Sequence, residues 1–361
     1  MKNIIIAILI SNSFALAASA QDSTINPVVT FSAYVEPYYA YDFNNPTADG
    51  NRPGFFYSYN RHNEVNINLG MIKANYAAQN IRANAAVAVG TYMNANYAAE
   101  PGVLKNILEM NTGVRLSKKR DLWLDAGVFG SHIGFESAIG KDCRTLTRSL
   151  LAENSPYFET GAKVTYNTPN GQWLLSGLVL NGWQRIQRVS GNSLPSFGTQ
   201  IQYKPNSKVL LNSSTFVGTD KPDIGRQMRY FHNFYGIFQL SEQWEATAGF
   251  DIGWEQTARN SSEYNTWYSP VLILRYAANS KCSIAARAEY YSDENGVIIA
   301  TGTPNGFGVM GLSLNVDYTF LPNAVWRIEG RFFNSQDDIF VRDNAFTNTN
   351  GLITTALAVS F

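Results

Sequence analysis

The chain is poor in charge. Of its 361 residues only 16% are Asp, Glu, Lys or Arg, against roughly 25% in an average soluble protein. It has no surplus of either sign, with Lys+Arg and Asp+Glu both at 28. Nucleic acid is therefore not an expected partner, since phosphate contacts need a Lys/Arg excess. Two cysteines are too few to staple a fold of this length. There are only three histidines, His62, His132 and His232. No Gly-x-Ser-x-Gly, His-Glu-x-x-His or Cys-x-x-Cys occurs, so hydrolytic chemistry and a metal or other cofactor are not expected. Long apolar runs are missing beyond the N-terminus, which excludes a bundle of membrane-spanning helices.

What the chain does have begins with a sorting signal. Lys2 is followed by the apolar run from Ile4 to Ile10, then by Ala18-Ser19-Ala20 before Gln21. This pattern predicts an export leader over residues 1–20, cleaved to leave residues 21–361 as one domain. Aromatics are abundant, at 13%.

From Val29 to Phe361 apolar and polar residues alternate with period two, the mark of strands with two different faces. Val65, Ile67, Leu69 and Met71 alternate with polar positions or Gly. So do Trp244, Ala246, Ala248, Phe250, Ile252 and Trp254, and again Met310, Leu312, Leu314, Val316, Tyr318 and Phe320. Seven short turns rich in Asn, Pro, Gly and Ser separate the strands in turn with eight longer polar loops. The loops fall near 44–56, 98–106, 130–156, 184–196, 217–228, 256–266, 292–306 and 334–349. Sixteen strands follow, with both ends of the chain on the short-turn side.

A soluble barrel of sixteen strands would have an interior too wide for side chains to fill. Placing the apolar face against lipid and the ionisable face in a wet lumen resolves this, and closure pairs every backbone group. The expected fold is all-β: a transmembrane antiparallel up-and-down barrel in the bacterial outer membrane, both termini periplasmic. Outward aromatics agree with two interfacial belts. Near the short turns these include Trp173, Tyr203, Trp244, Tyr276 and Trp326. Near the loops they include Tyr39, Tyr41, Tyr97, Tyr268 and Phe332.

The last strand, residues 351–361, alternates and ends in Phe361, and so resembles the closing strand of outer-membrane barrels; that resemblance implies recognition by the barrel-assembly machinery. Three further stretches are more telling: Ala33-Tyr34-Val35-Glu36-Pro37-Tyr38-Tyr39-Ala40-Tyr41-Asp42, Gly130-Ser131-His132-Ile133-Gly134-Phe135-Glu136-Ser137-Ala138, and the run from Thr145 to Tyr157. Together they resemble the putative β-barrel porin-2 (OmpL-like) family of Bacteroidetes outer membranes, over the whole mature chain. The resemblance implies passive uptake of small hydrophilic solutes and ions. It supplies no catalytic residue and no particular solute. Cys143, in an otherwise polar loop, has no evident role.

In general porins, which this architecture resembles, the third loop folds into the lumen and narrows it, and subunits form trimers. Residues 130–156 make the longest loop and carry a helix-like run from Thr145 to Ala152. Their charges, Glu136, Lys141, Asp142, Arg144, Arg148 and Glu153, are candidates for a constriction that sets ion preference and size limit. The alternative is an external loop with solvated charges. Inward strand positions add bases, Arg82, Arg115, Lys163, Arg275, Arg287, Arg327 and Arg331, of which the four from Arg275 to Arg331 could form a ladder for anionic solutes. Inward acids are Glu64, Glu109, Asp125, Glu159, Asp251, Glu289, Asp317 and Glu329. Equally, these charges could be ion pairs that only stiffen the wall. Three functions remain open: a general diffusion pore, an anion-selective channel, or a structural or adhesive barrel with closed loops.

Overall fold

The computed structural model describes residues 27–46 and 51–361. The expected leader lies outside them.

The strand pattern closes on itself. β1 is Val28–Asp42, β2 Val65–Ala77, β3 Ile81–Val89, β4 Ile107–Arg115, β5 Asp121–Gly130 and β6 Phe158–Asn167. β7 is Trp173–Leu180, β8 Ser196–Asn206, β9 Val209–Gly218, β10 Arg229–Gln239, β11 Trp244–Gln256 and β12 Tyr264–Ala277. β13 is Cys282–Asp293, β14 Phe307–Leu321 and β15 Ala324–Ser335. A small hairpin, β16 Phe340–Arg342 and β17 Ala345–Thr347, sits in the last loop before β18, Thr349–Ser360. The barrel comprises β1 to β15 and β18, sixteen strands, each paired antiparallel with its sequence neighbour in the sheet. β1 and β18 seal it, and Ala33 and Phe361 exchange both backbone hydrogen bonds, at 2.9 and 3.2 Å. Both ends of the barrel chain lie at the short-turn rim.

The outward face is apolar, as the alternation requires. Ile67, Phe250, Leu312, Leu314 and Val87 all stand exposed on it. A Lys or Arg there at mid-membrane would cost about 2–4 kcal/mol. Aromatics pair across strands near the turns, Trp173 with Tyr203 (4.2 Å between centroids) and Trp244 with Tyr276 (4.7 Å). Tyr268 and Tyr290 pair near the loops.

Several local expectations change. The phase of β2 breaks at Asn68, where β1 and β2 slip register beside Pro37, which has no N–H to give to the ladder. Val65 and Ile67 face outward, whereas Leu69 and Met71 turn inward and are buried. β2 opens at Val65 rather than near Tyr57, because residues 51–60 fold into the barrel. The second loop starts at residue 90 and holds a short helix, α1, Thr91–Asn96. Tyr97 is therefore not on the outer belt; it is buried, stacked on Phe158 at 4.0 Å. The helix-like run expected from Thr145 to Ala152 shrinks to α2, Leu150–Glu153, whose first turn is capped by the Ser149 hydroxyl accepting from the Ala152 N–H (3.2 Å).

Candidate functional site: the barrel interior

The third loop, residues 131–157, lies inside the barrel. Its second half is held against the wall made by β12 to β15. Leu146 N–H donates to Asn315 Oδ1 (3.0 Å), and Thr147 N–H to Glu329 Oε2 (2.6 Å). Leu150 N–H donates to Glu289 Oε2 (2.6 Å). Arg287 reaches Thr145 Oγ1 (2.8 Å) and the Thr147 carbonyl (2.7 Å). Arg327 donates to the Gly140 and Cys143 carbonyls. At Gly140 the loop passes so close to the wall that a Cβ would sit 2.1 Å from Glu36 Oε1. A larger residue there would have to push the Glu36 carboxyl and the Tyr59 hydroxyl aside.

The expected arginine ladder is thus occupied. Its members lie on β12, β13 and β15, and the intervening β14 contributes Asp317. Arg287 bridges Glu289 (3.3 Å) and Glu329 (2.9 Å), Arg331 pairs with Glu289 (2.6 Å), and Arg327 pairs with Asp317 (2.7 Å). The side chains of Arg287, Arg327 and Arg331 are at most 1% exposed. These three form a clamp on the third loop rather than a free track. Arg275 alone of the four stays out of it.

The same burial changes the reading of three loop charges. Arg148 spends its donors on the loop's own carbonyls, Ser137 (2.7 Å), Leu146 (2.5 Å) and Ala138 (3.2 Å), and is fully buried. Glu136 caps Ser149, accepting from its N–H (3.0 Å) and its hydroxyl. Glu153 accepts the N–H groups of Tyr57 (2.9 Å) and Ser58 (3.2 Å) and so ties the first loop to the third; burial pushes its carboxyl up to about 7. By contrast Lys141, Asp142 and Arg144 keep side-chain exposures of 33%, 29% and 27%. Arg144 forms a two-point pair with Glu245 of β11, an acid that sequence reasoning did not place here.

Around the Arg327 contacts at Gly140 and Cys143, the side chains of Lys141, Asp142 and Arg144 stay part-exposed. On the opposite wall the inward side chains keep partial exposure: Lys73, Arg82, Asn84, Glu109, Gln200 and Gln202. Lys73 pairs with Glu109, and Arg82 with Asp125 (2.7 Å). These residues lie in the middle and the short-turn half of the barrel. They show where water reaches the interior.

The loop-side half differs in kind. Phe129, Leu180, Phe216, Phe231, Trp267, Tyr291, Phe307 and Phe333, all at loop-side strand ends, point inward and are buried. Onto them pack Phe55 and Phe56 of the first loop, Ile133 and Leu150 of the third, Ile299 of the seventh and Phe340 of the β16–β17 hairpin. Phe55 meets Phe307 at 4.8 Å, and Phe56 meets Phe333 at 5.2 Å. The expectation of a uniformly polar interior fails here. The signal was present as adjacent aromatics at strand ends, Trp267-Tyr268, Tyr290-Tyr291 and Phe332-Phe333, where one ring of each pair must face inward.

His132 is buried where the third loop opens. Burial pushes its imidazole down to about 4, so it is neutral at pH 7 and its Nε2–H donates to the Thr215 carbonyl (2.9 Å). His62 accepts from the Asp42 N–H (2.9 Å), and His232 bonds the Ser213 hydroxyl (2.8 Å). Both cysteines are free, and burial pushes the Cys143 thiol up to about 11. Among the described residues no His, Cys, Asp and Glu cluster of three could hold a metal. Glu64 lies at the loop-side rim just before β2, paired with Arg61 (2.8 Å) and accepting from Asn66 Nδ2–H (2.8 Å).

A closed sixteen-stranded barrel with an apolar belt, a wet charged interior and an inserted third loop defines an outer-membrane porin. The chain belongs to the family described as putative beta-barrel porin-2, OmpL-like, whose model matches residues 28–361. Solved structures share its fold at low identity. An anion-selective porin from Comamonas acidovorans is 9% identical with a TM-score of 0.61, covering 93% of this chain and 100% of that one. OmpT, an outer membrane protein of Vibrio cholerae in its trimer form, is 8% identical with a TM-score of 0.58, covering 93% and 99%. The outer membrane channel DcaP of Acinetobacter baumannii is 13% identical with a TM-score of 0.56, covering 96% and 100%. Comparison with curated proteins finds no match. The protein is a porin of the bacterial outer membrane.

Proposed function

We propose that small hydrophilic solutes and ions diffuse passively through an off-centre passage, between residues 134–144 of the third loop and the wall from β2 to β11. The observation that carries this is the asymmetry of the third loop. One flank is clamped and dry on β12 to β15, and the other keeps Lys141, Asp142 and Arg144 part-exposed opposite part-exposed polar side chains. Those three residues with Glu245 form the constriction. Acid beside base there gives a transverse field and a width limit. No cofactor is needed, since the solute gradient drives flux.

The chain enters the membrane with both termini periplasmic, after loss of residues 1–20. Phe361 marks the closing strand for the barrel-assembly machinery. Outward small residues, Ala83, Ala85, Ala286 and Ala288, offer flat surfaces for a homotrimer, the form named for the Vibrio cholerae relative. Purified protein in liposomes should admit small sugars in a swelling assay, faster for smaller ones. Zero flux would instead support a structural barrel with closed loops, the reading that the apolar loop-side packing favours.

A further inference from the structure

We infer that the wet part of the interior prefers anions, and that Arg115, Lys163 and Arg275 set the preference. This rests on the diffusion reading above and adds a solute class to it. It replaces the buried arginine ladder with a different set of residues.

Five acids that reach the middle and short-turn half of the lumen have a base as partner, while Asp121 at the rim accepts from Trp123 Nε1–H and Asn167 Nδ2–H. Glu109 pairs with Lys73, Asp125 with Arg82, Glu245 with Arg144, Asp317 with Arg327 and Asp142 with Lys141. The remaining inward acids are out of the water's way. Glu289 and Glu329 belong to the clamp, while Asp251, Glu159 and Glu36 are buried.

Arg115, Lys163 and Arg275 are left over. Each occupies an inward strand position, and none forms an ion pair within 4 Å among the described residues. The register shows why. Lys163 lies directly across from Asp125, and Arg275 directly across from Glu245, two acids already taken by Arg82 and Arg144. Each such acid is flanked by two bases. Arg115 lies across from Trp123, and its Nε is buried without a hydrogen-bond partner. Lys163 Nζ stands 4.5 Å over the Phe129 ring. The two arginines keep their charge at any working pH. Three surplus positive charges in a narrow space with low-dielectric walls raise the local concentration of anions and lower that of cations.

The test is the reversal potential of single barrels in planar bilayers under a KCl gradient at low ionic strength, where screening is weakest. The wild type should show a chloride-to-potassium permeability ratio several-fold above one. The triple variant R115Q/K163Q/R275Q should still form open channels and bring the ratio to about one or below. R115K/R275K should keep the wild-type ratio. If the triple variant does not assemble, R115Q and R275Q singly should each move the ratio part of the way. A wild type that passes no current sinks the diffusion reading and this inference with it. A wild type that conducts with a ratio at or below one, or neutralised variants that keep the ratio unchanged, overturn this inference alone.

Discussion

The two halves of the barrel interior are built on opposite principles. In the short-turn half the inward side chains are Lys73, Arg82, Gln200, Gln202, Glu245 and Arg275, part-exposed and polar, with Lys73, Arg82 and Glu245 held in ion pairs. In the loop-side half they are Phe129, Phe216, Trp267, Phe307 and Phe333, buried under four loops. The outer face is the same greasy surface in both. Strand alternation therefore fixes only which residues meet lipid. What fills the lumen depends on whether a loop comes down to cover it. Where no loop does, polar groups must stay because water is their solvent. Where loops do, the same inward positions become an ordinary core.

The clamp joins the halves, so breaking it should have the largest effect. Arg287 neutralises Glu289 and Glu329 with all three side chains out of water. Arg287→Ala leaves the buried Glu329 without a base and Glu289 with Arg331 alone, and removing one partner of a buried pair costs about 3–5 kcal/mol. The third loop should detach. Single-channel records should show larger, noisier currents, and the folded band on unheated gels should melt at lower temperature. Arg148→Ala, fully buried within the loop, should act in the same direction. An unchanged conductance in both would contradict the clamp.

Next comes the loop-side core. Phe55→Ala and Phe56→Ala each remove a ring that stacks on the inward aromatics. A buried Phe→Ala change costs about 3–5 kcal/mol in a closed core. Here the loss falls on first-loop docking, because the barrel ladder is untouched. Both variants should fold and conduct more than wild type.

A smaller effect concerns pH. Glu153 accepts two first-loop N–H groups and faces Arg148 and Arg331, yet burial outweighs them and holds its carboxyl up at about 7. An acid raised this way binds its proton more tightly in the docked state. Docking of the first loop should be strongest below the ordinary carboxylate range near 4.3 and weaken as pH rises from there through about 7. Glu153→Gln should abolish that dependence. The check is open-channel noise recorded between pH 4 and pH 8. A wild-type profile that is flat, or that quiets as pH rises, would contradict the assignment.

The smallest effect belongs to the wet half. The Lys73–Glu109 pair is part-exposed, and such pairs are worth about 0–1 kcal/mol. Lys73→Gln should leave thermal stability within that range while shifting conductance measurably.

Much of this architecture was legible in the sequence. Strand number, closure and the outer face follow from alternation and turn spacing, whereas the inserted third loop was implied only by the resemblance to general porins, with an external loop as the alternative. The arginines of β13 and β15 are buried, and alternation says nothing of what an inward charge will meet. Only the descent of residues 145–150 onto Glu289, Asn315 and Glu329 turns them into a clamp. The bulge at Asn68 was hidden for a related reason. Leu69 and Met71 fit either face by type, and Pro37 on the partner strand decides it. Glu245 and Gln200 carry no local mark of function at all, because what defines them is the loop opposite.

The division between a wet half and a dry half can be measured at single positions. In a background without Cys143 and Cys282, cysteines are placed at Lys73, Gln200, Phe216 and Phe333, and a charged, membrane-impermeant thiol reagent is added during bilayer recording. Modification should cut the current at Lys73 and Gln200 and leave Phe216 and Phe333 unreacted. Block at Phe216 and Phe333 with none at Lys73 and Gln200 would place the water on the wrong side of the third loop and contradict the account.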